Sequence, residues 1–220
     1  TKKSFIPRVG AVGKVVSLGI STFVTQIAIV LVAVLCNVQF AKYGAMSEYG
    51  ADIPIAVIGI QSKIFTVVIN IVVGVVLGCQ PIISYNFGAG NMDRVKACFK
   101  RVLILCGGYT TVFCAATLLF PGIFVGIFNS DPTLVEHTIW TLRVYMAGIF
   151  AMGFQVACQQ CFMALGQAKV SLLLACLRKL ILLIPLIYIL PAILDSKVFA
   201  VFLAEPVTDI LAATVTVSVF

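Results

Sequence analysis

The hydrophobic pattern of the chain consists of long apolar runs separated by short polar segments. A helix needs about 20 mainly apolar residues to cross a bilayer. Runs of this length predict six spans at about 15–41, 53–79, 102–120, 138–165, 170–194 and 198–220. None of the runs alternates polar and apolar residues over about ten positions, as the strands of an outer-membrane barrel do. The pattern therefore predicts an all-α integral membrane protein.

Turn-forming residues divide the predicted spans. Gln80-Pro81 and the stretch 88–91 predict a turn and a loop after the second span, where Asn91 or Asp93 suits a helix cap. Pro185 predicts a kink within the fifth span, because proline cannot donate a backbone hydrogen bond.

The composition agrees with a membrane protein. The 220 residues are 61% hydrophobic and only 10% charged, and their mean hydropathy is +1.14. Soluble domains carry about a quarter charged residues, so a soluble enzyme domain, a secreted disulfide scaffold and a disordered tail are excluded. The chain begins with Thr1 and stops at Phe220 inside an apolar run, and we expect it to be part of a longer protein.

The net charge of +7 is a topology signal, since Lys and Arg gather in alternate connections between spans. The basic side comprises Lys2, Lys3, Arg8, Lys14, Arg94, Lys96, Lys100, Arg101 and Lys169. This side is expected to be cytoplasmic, which makes residues 1–14 a cytoplasmic N-terminal segment leading into the first span. Nucleic-acid binding is not expected, because no basic patch with interleaved aromatics lies on a soluble domain.

Eight cysteines and one histidine are candidate metal or redox groups. Cys158 and Cys161 form a CxxC, but it lies inside an apolar run without a second pair or a βαβ pattern. His137 lies near a span end without an HExxH setting. We expect neither a metal site nor redox chemistry, and we read the cysteines as small hydrophobic residues.

Four ionisable residues lie too deep in the spans for an interface: Lys63, Arg178, Glu205 and Asp209. At 1.5 Å per residue, Lys63 and Asp209 lie roughly 15 Å from the outer surface and Arg178 roughly 12 Å from the inner surface. Glu205 and Asp209 share one helical face. The four side chains are therefore predicted to meet in one layer near the middle of the bilayer.

Two interpretations of these charges stay open. They can form an ion-pair network that only fixes helix packing, with Arg178 and Lys179 alternatively reaching the cytoplasmic side. They can instead line a wet cavity in which carboxylates exchange protons or sodium, since intramembrane charges are commonly functional. Gln26 and Asn70 are candidate polar residues of the same cavity, as are Asn37, Gln155 and Gln159, although interhelical hydrogen bonds explain such side chains equally well.

Residues 78–91, with the pattern GxQPIxxYNxGAxN, resemble a motif of the multidrug and toxic compound extrusion (MATE) family. The likeness is strongest to bacterial multidrug exporters, including DinF-like members. Three weaker stretches agree with it: Leu18-Gly19-Ile20-Ser21, Ala164-Leu165-Gly166-Gln167-Ala168, and Glu205-Pro206-Val207-Thr208-Asp209. Together these stretches cover nearly the whole chain.

The resemblance implies twelve spans in two six-helix lobes, with this chain as the second lobe and the first lobe as its missing partner. It implies a cell-membrane transporter that exports small cationic amphiphilic compounds in exchange for protons or sodium and needs no cofactor. Some relatives carry an acidic residue in the helix that matches the first span, where this chain has only Gln26 as its nearest polar group. The coupling ion therefore stays open.

On this basis, a deprotonated Glu205–Asp209 pair is expected to attract a lipophilic cation, with cation–π contacts from aromatics such as Phe65, Tyr109 or Tyr188.

Three alternatives to multidrug export remain. A lipid or lipid-linked oligosaccharide flippase of the same superfamily would be expected to show more cationic residues in its cavity. An intramembrane enzyme is not expected, because no span holds an aspartate dyad, a GxSxG serine or a metal triad. The third alternative is a membrane subunit that does not transport and only packs against other subunits.

Overall fold

In the computed structural model, the described residues of the chain are 9–47, 50, 52–128 and 131–219. Residues 1–8, which form most of the predicted N-terminal segment 1–14, lie outside this set. All elements in the described part are helical: α1 (Val9–Ala45), α2 (Asp52–Gly88), α3 (Met92–Leu119), α4 (Pro121–Gly126), α5 (Pro132–Met146), α6 (Ile149–Ala164), α7 (Ala168–Cys176), a π-helical segment (Leu177–Leu183), α8 (Ile184–Ile193) and α9 (Lys197–Val219).

Five of the helical stretches are long and apolar enough to cross a bilayer by themselves. These are α1, α2, α3, the continuous stretch Lys169–Ile193, and α9. A sixth span results if α5 and α6, which meet at a bend of 46°, are taken as one broken span. The predicted all-α integral membrane fold is thus confirmed, since a helical bundle satisfies its backbone groups internally.

The second helix does not end where the sequence predicted. α2 continues through Pro81 to Gly88, nine residues beyond the predicted end of the span at 79, so the predicted turn at Gln80-Pro81 is wrong. Membrane helices tolerate an internal proline because neighbouring groups satisfy the freed carbonyl. Asn91 does precede α3, but its side chain makes no capping hydrogen bond.

Two glycines in the left-handed region end the helices at one end of the bundle. Gly90 (φ +76°) follows α2 and Gly166 (φ +76°) follows α6. At each, the next residue donates its N–H back to the helix, Asn91 to Asn86 O at 2.9 Å and Gln167 to Phe162 O at 2.8 Å. These 6→1 bonds are the Schellman arrangement that favours glycine, and they explain the glycines of both resembling motifs.

The first of these motifs, residues 78–91, also contacts the end of α6. Gln80 Nε2 donates to Gln160 Oε1 at 2.8 Å, and Ser84 Oγ donates to the carbonyl of Ala164 at 2.8 Å. The second half of α2 is therefore tied to the end of α6 by two polar contacts one turn apart. Polar side chains commonly hold membrane helices together in this way.

The core forms where α6 lies between α2, α3 and α9. The buried face of α2 includes Ile64, Val68, Val72 and Val76, which recur every four residues as a helical stripe requires. α3 and α6 approach closely at two glycines, because a Cβ on Gly107 would overlap Phe154 and one on Gly153 would overlap Thr110. Small residues at such contacts allow membrane helices to pack.

The predicted kink at Pro185 coincides with a change of helix type. Seven residues, Leu177–Leu183, form a π-helix between α7 and α8, and α8 begins at Ile184. π-helical segments are rare in proteins, and those that do occur often lie at functional sites. This segment carries Arg178 and Lys179.

Candidate functional site

Four charged side chains join the π-helical segment to α9. Arg178 Nε donates to Asp209 Oδ1 at 2.7 Å, and its Nη2 contacts the same oxygen. Lys179 Nζ donates to Glu205 Oε1 at 3.3 Å. Arg178 Nη2 also lies 3.6 Å from Glu205 Oε2, so that the two pairs form one network.

Backbone geometry explains why these residues meet. Glu205 and Asp209 are four residues apart on α9 and therefore lie one above the other on one face. Arg178 and Lys179 are adjacent in the chain, and both reach that face from the π-helical segment. The network thus joins the π-helical segment to one face of α9.

The Arg178–Asp209 pair is enclosed by α6. Arg178 Nη2 lies 3.4 Å from Met152 Sδ. A Cβ on Gly148, at the break between α5 and α6, would lie 2.7 Å from Pro206 Cα and 3.1 Å from Asp209 Cβ. Glycine at this position therefore lets α9 approach closely enough to bury Asp209.

A cavity of about 470 Å³ opens beside the Lys179–Glu205 pair. Its walls come from α1, α2, α5, α9 and the π-helical segment. The polar or charged lining residues are Asn37, Ser62, Thr66, Tyr145, Lys179 and Glu205, and the aromatic ones include Phe40, Phe65 and Phe202. A mostly apolar cavity with a few convergent polar groups is the usual form of a small-molecule site.

Three of the six predicted site residues meet as expected, and three do not. Arg178, Glu205 and Asp209 share the network. Lys63, Asn70 and Gln26 are exposed and do not line the cavity. The prediction that Lys63 joins the carboxylates is wrong. Residue number fixes depth along a helix but not helix rotation, and Ser62 rather than Lys63 faces the cavity.

Lys179 occupies the place that the sequence assigned to Lys63. Its position next to Arg178 suggested a side chain reaching the cytoplasmic side, but it pairs with Glu205 instead. Asn37 and Phe65 line the cavity as predicted, whereas Tyr109 and Tyr188 do not. Tyr145 also lines it, and no sequence signal distinguished this tyrosine from the others.

Two glutamines are buried in the bundle without hydrogen bonds from the described residues. Gln61 is 0% exposed and Gln155 is 1% exposed, and both amide atoms of each are unpaired within that part of the chain. Gln159, in contrast, donates to the Ser171 carbonyl at 3.5 Å. Of the predicted polar residues, Gln159 thus acts as a contact between helices.

The sequence raised the cysteines and His137 as candidate metal or redox groups. Within the described ranges, no group of three His, Cys, Asp or Glu side chains is arranged to hold a metal ion. All eight cysteines are free thiols, and four of them are buried. The groups that the site does bring together are two ion pairs beside a mostly apolar cavity.

Comparison with known proteins points to the same family as the sequence motifs do. The sequence model of the MatE family matches residues 22–189. The multidrug export protein MepA of Staphylococcus aureus (strain NCTC 8325) is 27% identical over 201 residues, which cover 90% of this chain and 43% of that protein. The chain thus spans less than half the length of the curated relatives it matches.

Solved structures agree on the fold. The MATE multidrug transporter DinF-BH, solved in complex with a dye, superimposes with a TM-score of 0.80 and 25% identity, over 96% of this chain and 45% of that chain. A MATE transporter in the straight conformation gives a TM-score of 0.88 at 16% identity, over 98% of this chain and 47% of that chain. Each match covers one half of a longer transporter.

Proposed function

The chain belongs to the MATE family, and we propose that it forms the second six-helix lobe of a secondary active multidrug exporter. The exporter moves small cationic amphiphilic compounds outward in exchange for protons or sodium. The cavity beside Glu205 is the single observation that supports this function best. Its volume of about 470 Å³ suits a drug-sized molecule.

The lining of the cavity fits a lipophilic cation. Phe40, Phe65, Phe202 and Tyr145 offer aromatic surface, and Glu205 offers the carboxylate. Aromatic faces attract organic cations, most strongly where water is excluded. The same aromatic walls give an uncharged amphiphile no cation–π attraction.

Ion exchange follows from the charge of Glu205. While the carboxylate is ionised, it favours a bound cation. A proton or a sodium ion at the carboxylate cancels its charge and lowers the affinity for the drug. A ligand shifts a conformational equilibrium only by its differential affinity for the two states, so this competition gives the lobe a means of coupling.

The partner of this lobe is the first, N-terminal lobe of the same protein. This chain covers 43% of MepA, and Lys63, Asn70 and Gln26 leave polar groups on the outer faces of α2 and α1. Polar side chains in a membrane span are costly against lipid. We therefore place the first lobe, or a water-filled space between the lobes, against these faces.

The proposed transporter lies in the cell membrane, with the basic end of its helical bundle in the cytoplasm. Lys42 and Lys197 lie together at the opposite end, where both ammonium groups approach the Tyr43 ring at 5.4 and 5.8 Å from its centroid. The excess of Lys and Arg at the end that carries Arg94, Lys100 and Lys169 supports this orientation.

A flippase for lipid-linked oligosaccharides is not favoured. Such a protein needs free cations to hold pyrophosphate, whereas Arg178 and Lys179 both carry carboxylate partners. The relatives named MepA are export proteins, which favours transport over an intramembrane enzyme or a subunit that only packs.

Dye efflux from cells that express the complete transporter tests the proposal, with the cationic dye ethidium as the probe. We expect ethidium efflux with the wild-type protein and at least about tenfold less with Glu205→Gln, which keeps the shape of the side chain. A protonophore and a sodium-free medium identify the ion. Asp195→Asn is the matched control, because it removes an exposed carboxylate outside the cavity. Wild-type efflux by Glu205→Gln would rule out this site.

A further inference from the structure

The carboxylate that faces the cavity already has a cation beside it. Lys179 Nζ lies 3.3 Å from Glu205 Oε1, and Arg178 Nη2 lies 3.6 Å from Glu205 Oε2. With Asp209, the network contains two positive and two negative charges. An organic cation entering the cavity therefore meets no net attraction from these four groups, and one positive charge must leave Glu205 first.

The two ion pairs differ in how firmly they are held. Arg178 and Asp209 are almost completely enclosed, with side chains 9% and 4% exposed, and two guanidinium nitrogens contact one carboxylate oxygen. Lys179 and Glu205 are 13% and 16% exposed, line the cavity, and share a single contact. An arginine fork is rigid, whereas the lysine ammonium sits on a flexible four-carbon stem.

We propose that Lys179 is an internal counterion, which a monovalent organic cation displaces from Glu205 when it enters the cavity. The proposal rests on the proposed function and deepens it, since it names the group that sets the affinity for cations. Lys179 keeps its proton and turns its ammonium into the water of the cavity, while Arg178 stays on Asp209. No covalent bond changes.

This exchange explains how the site selects its ligands. A cation that replaces Lys179 restores the charge balance of Glu205 and adds contacts with the aromatic walls. A neutral amphiphile of the same shape cannot replace Lys179 and gains only the wall contacts. A cationic substrate therefore binds only if it interacts more favourably with Glu205 and the cavity walls than Lys179 does with Glu205.

Equilibrium dialysis of the purified complete transporter against radiolabelled tetraphenylphosphonium tests the proposal. Lys179→Gln is expected to bind the cation about tenfold more tightly than wild type, because the competing ammonium is gone. Lys179→Met is a second variant that keeps the length of the stem if glutamine disturbs folding, which size-exclusion chromatography reports. Lys169→Gln removes an exposed lysine at the start of α7 and should leave the affinity unchanged.

The Glu205 variants separate the possible outcomes. Glu205→Gln should lose most of the binding, and Lys179→Gln/Glu205→Gln should bind no more tightly than Glu205→Gln alone. If both Lys179 variants bind as weakly as wild type while Glu205→Gln loses binding, the counterion role is overturned and the proposed function stands. If neither wild type nor any variant binds the cation, the proposed function fails together with this inference.

Discussion

Arg178 and Asp209 form a buried ion pair between the π-helical segment and α9, with Arg178 Nε 2.7 Å from Asp209 Oδ1. Only α8 separates these two elements along the chain, and Met152 of α6 contacts the guanidinium. Removing one member of a buried pair leaves an uncompensated charge, which costs about 3–5 kcal/mol. Breaking this contact is therefore expected to lower the stability of the bundle.

Asp209→Asn is expected to abolish coupled efflux while the protein still inserts in the membrane. The change leaves Arg178 without its strongest partner and frees it to compete with Lys179 for Glu205. We expect a free energy of unfolding lower by about 3 kcal/mol, measured by thermal unfolding in detergent, alongside ethidium efflux from cells. Wild-type efflux by this variant would contradict a coupling role for Asp209.

A double variant separates stability from transport. Arg178→Met/Asp209→Leu replaces the ion pair by apolar side chains, a change that is often neutral or stabilising at buried sites. It should recover the thermal stability that Asp209→Asn loses without recovering efflux. Recovery of both would show that the pair only fixes helix packing, the alternative that the sequence left open.

Sequence reasoning found most of the site because charges inside apolar runs are rare. Arg178, Glu205 and Asp209 were identified on this ground alone, and α9 places the two carboxylates one turn apart as expected. Lys63 was grouped with them by depth, but rotation about the axis of α2 directs it away from the cavity. Lys179 was missed as a partner of Glu205 because its side chain was expected to reach the cytoplasmic side.

The fold was predictable to a similar degree. Apolar length located the helices, and the glycine turns at Gly90 and Gly166 were indicated by their motifs. The break between α5 and α6 was not predicted, since residues 147 and 148 carry no polar group or proline and the apolar run is continuous. At this bend Gly148 packs against Pro206 of α9, a tertiary contact that the sequence pattern does not show.

Gly148→Ala should destabilise the protein through that packing. The added methyl would lie 2.7 Å from Pro206 Cα, so α9 must move, and overpacking of this kind costs about 1–3 kcal/mol. Thermal unfolding in detergent measures the loss. Gly108→Ala is the matched control, because nothing lies within 4 Å of its Cβ position. If both variants melt at the wild-type temperature, the break between α5 and α6 does not require glycine at position 148, and the prediction is wrong.

Ser62→Trp should block the cavity without disturbing the bundle. Ser62 lines the cavity and is exposed, so an indole ring at this position fills space that a ligand would otherwise occupy. We expect at least about tenfold weaker tetraphenylphosphonium binding and an unchanged melting temperature. Ile104→Trp, on an exposed face of α3, should bind normally. Unchanged binding by Ser62→Trp would place the substrate elsewhere.

Asn70→Cys tests whether the polar face of α2 meets water. Asn70 and Lys63 are exposed on this helix, and a charged side chain within a span is expected to face a water-filled space rather than lipid. Only the thiolate reacts with methanethiosulfonate reagents, and a thiol in hydrocarbon does not ionise. With the native cysteines replaced, a cysteine at position 70 should therefore react at least about tenfold faster than one at Val112, which is 71% exposed on α3. Equal rates would mean that lipid or tightly packed protein covers this face, and Lys63 would then have no part in an aqueous pathway.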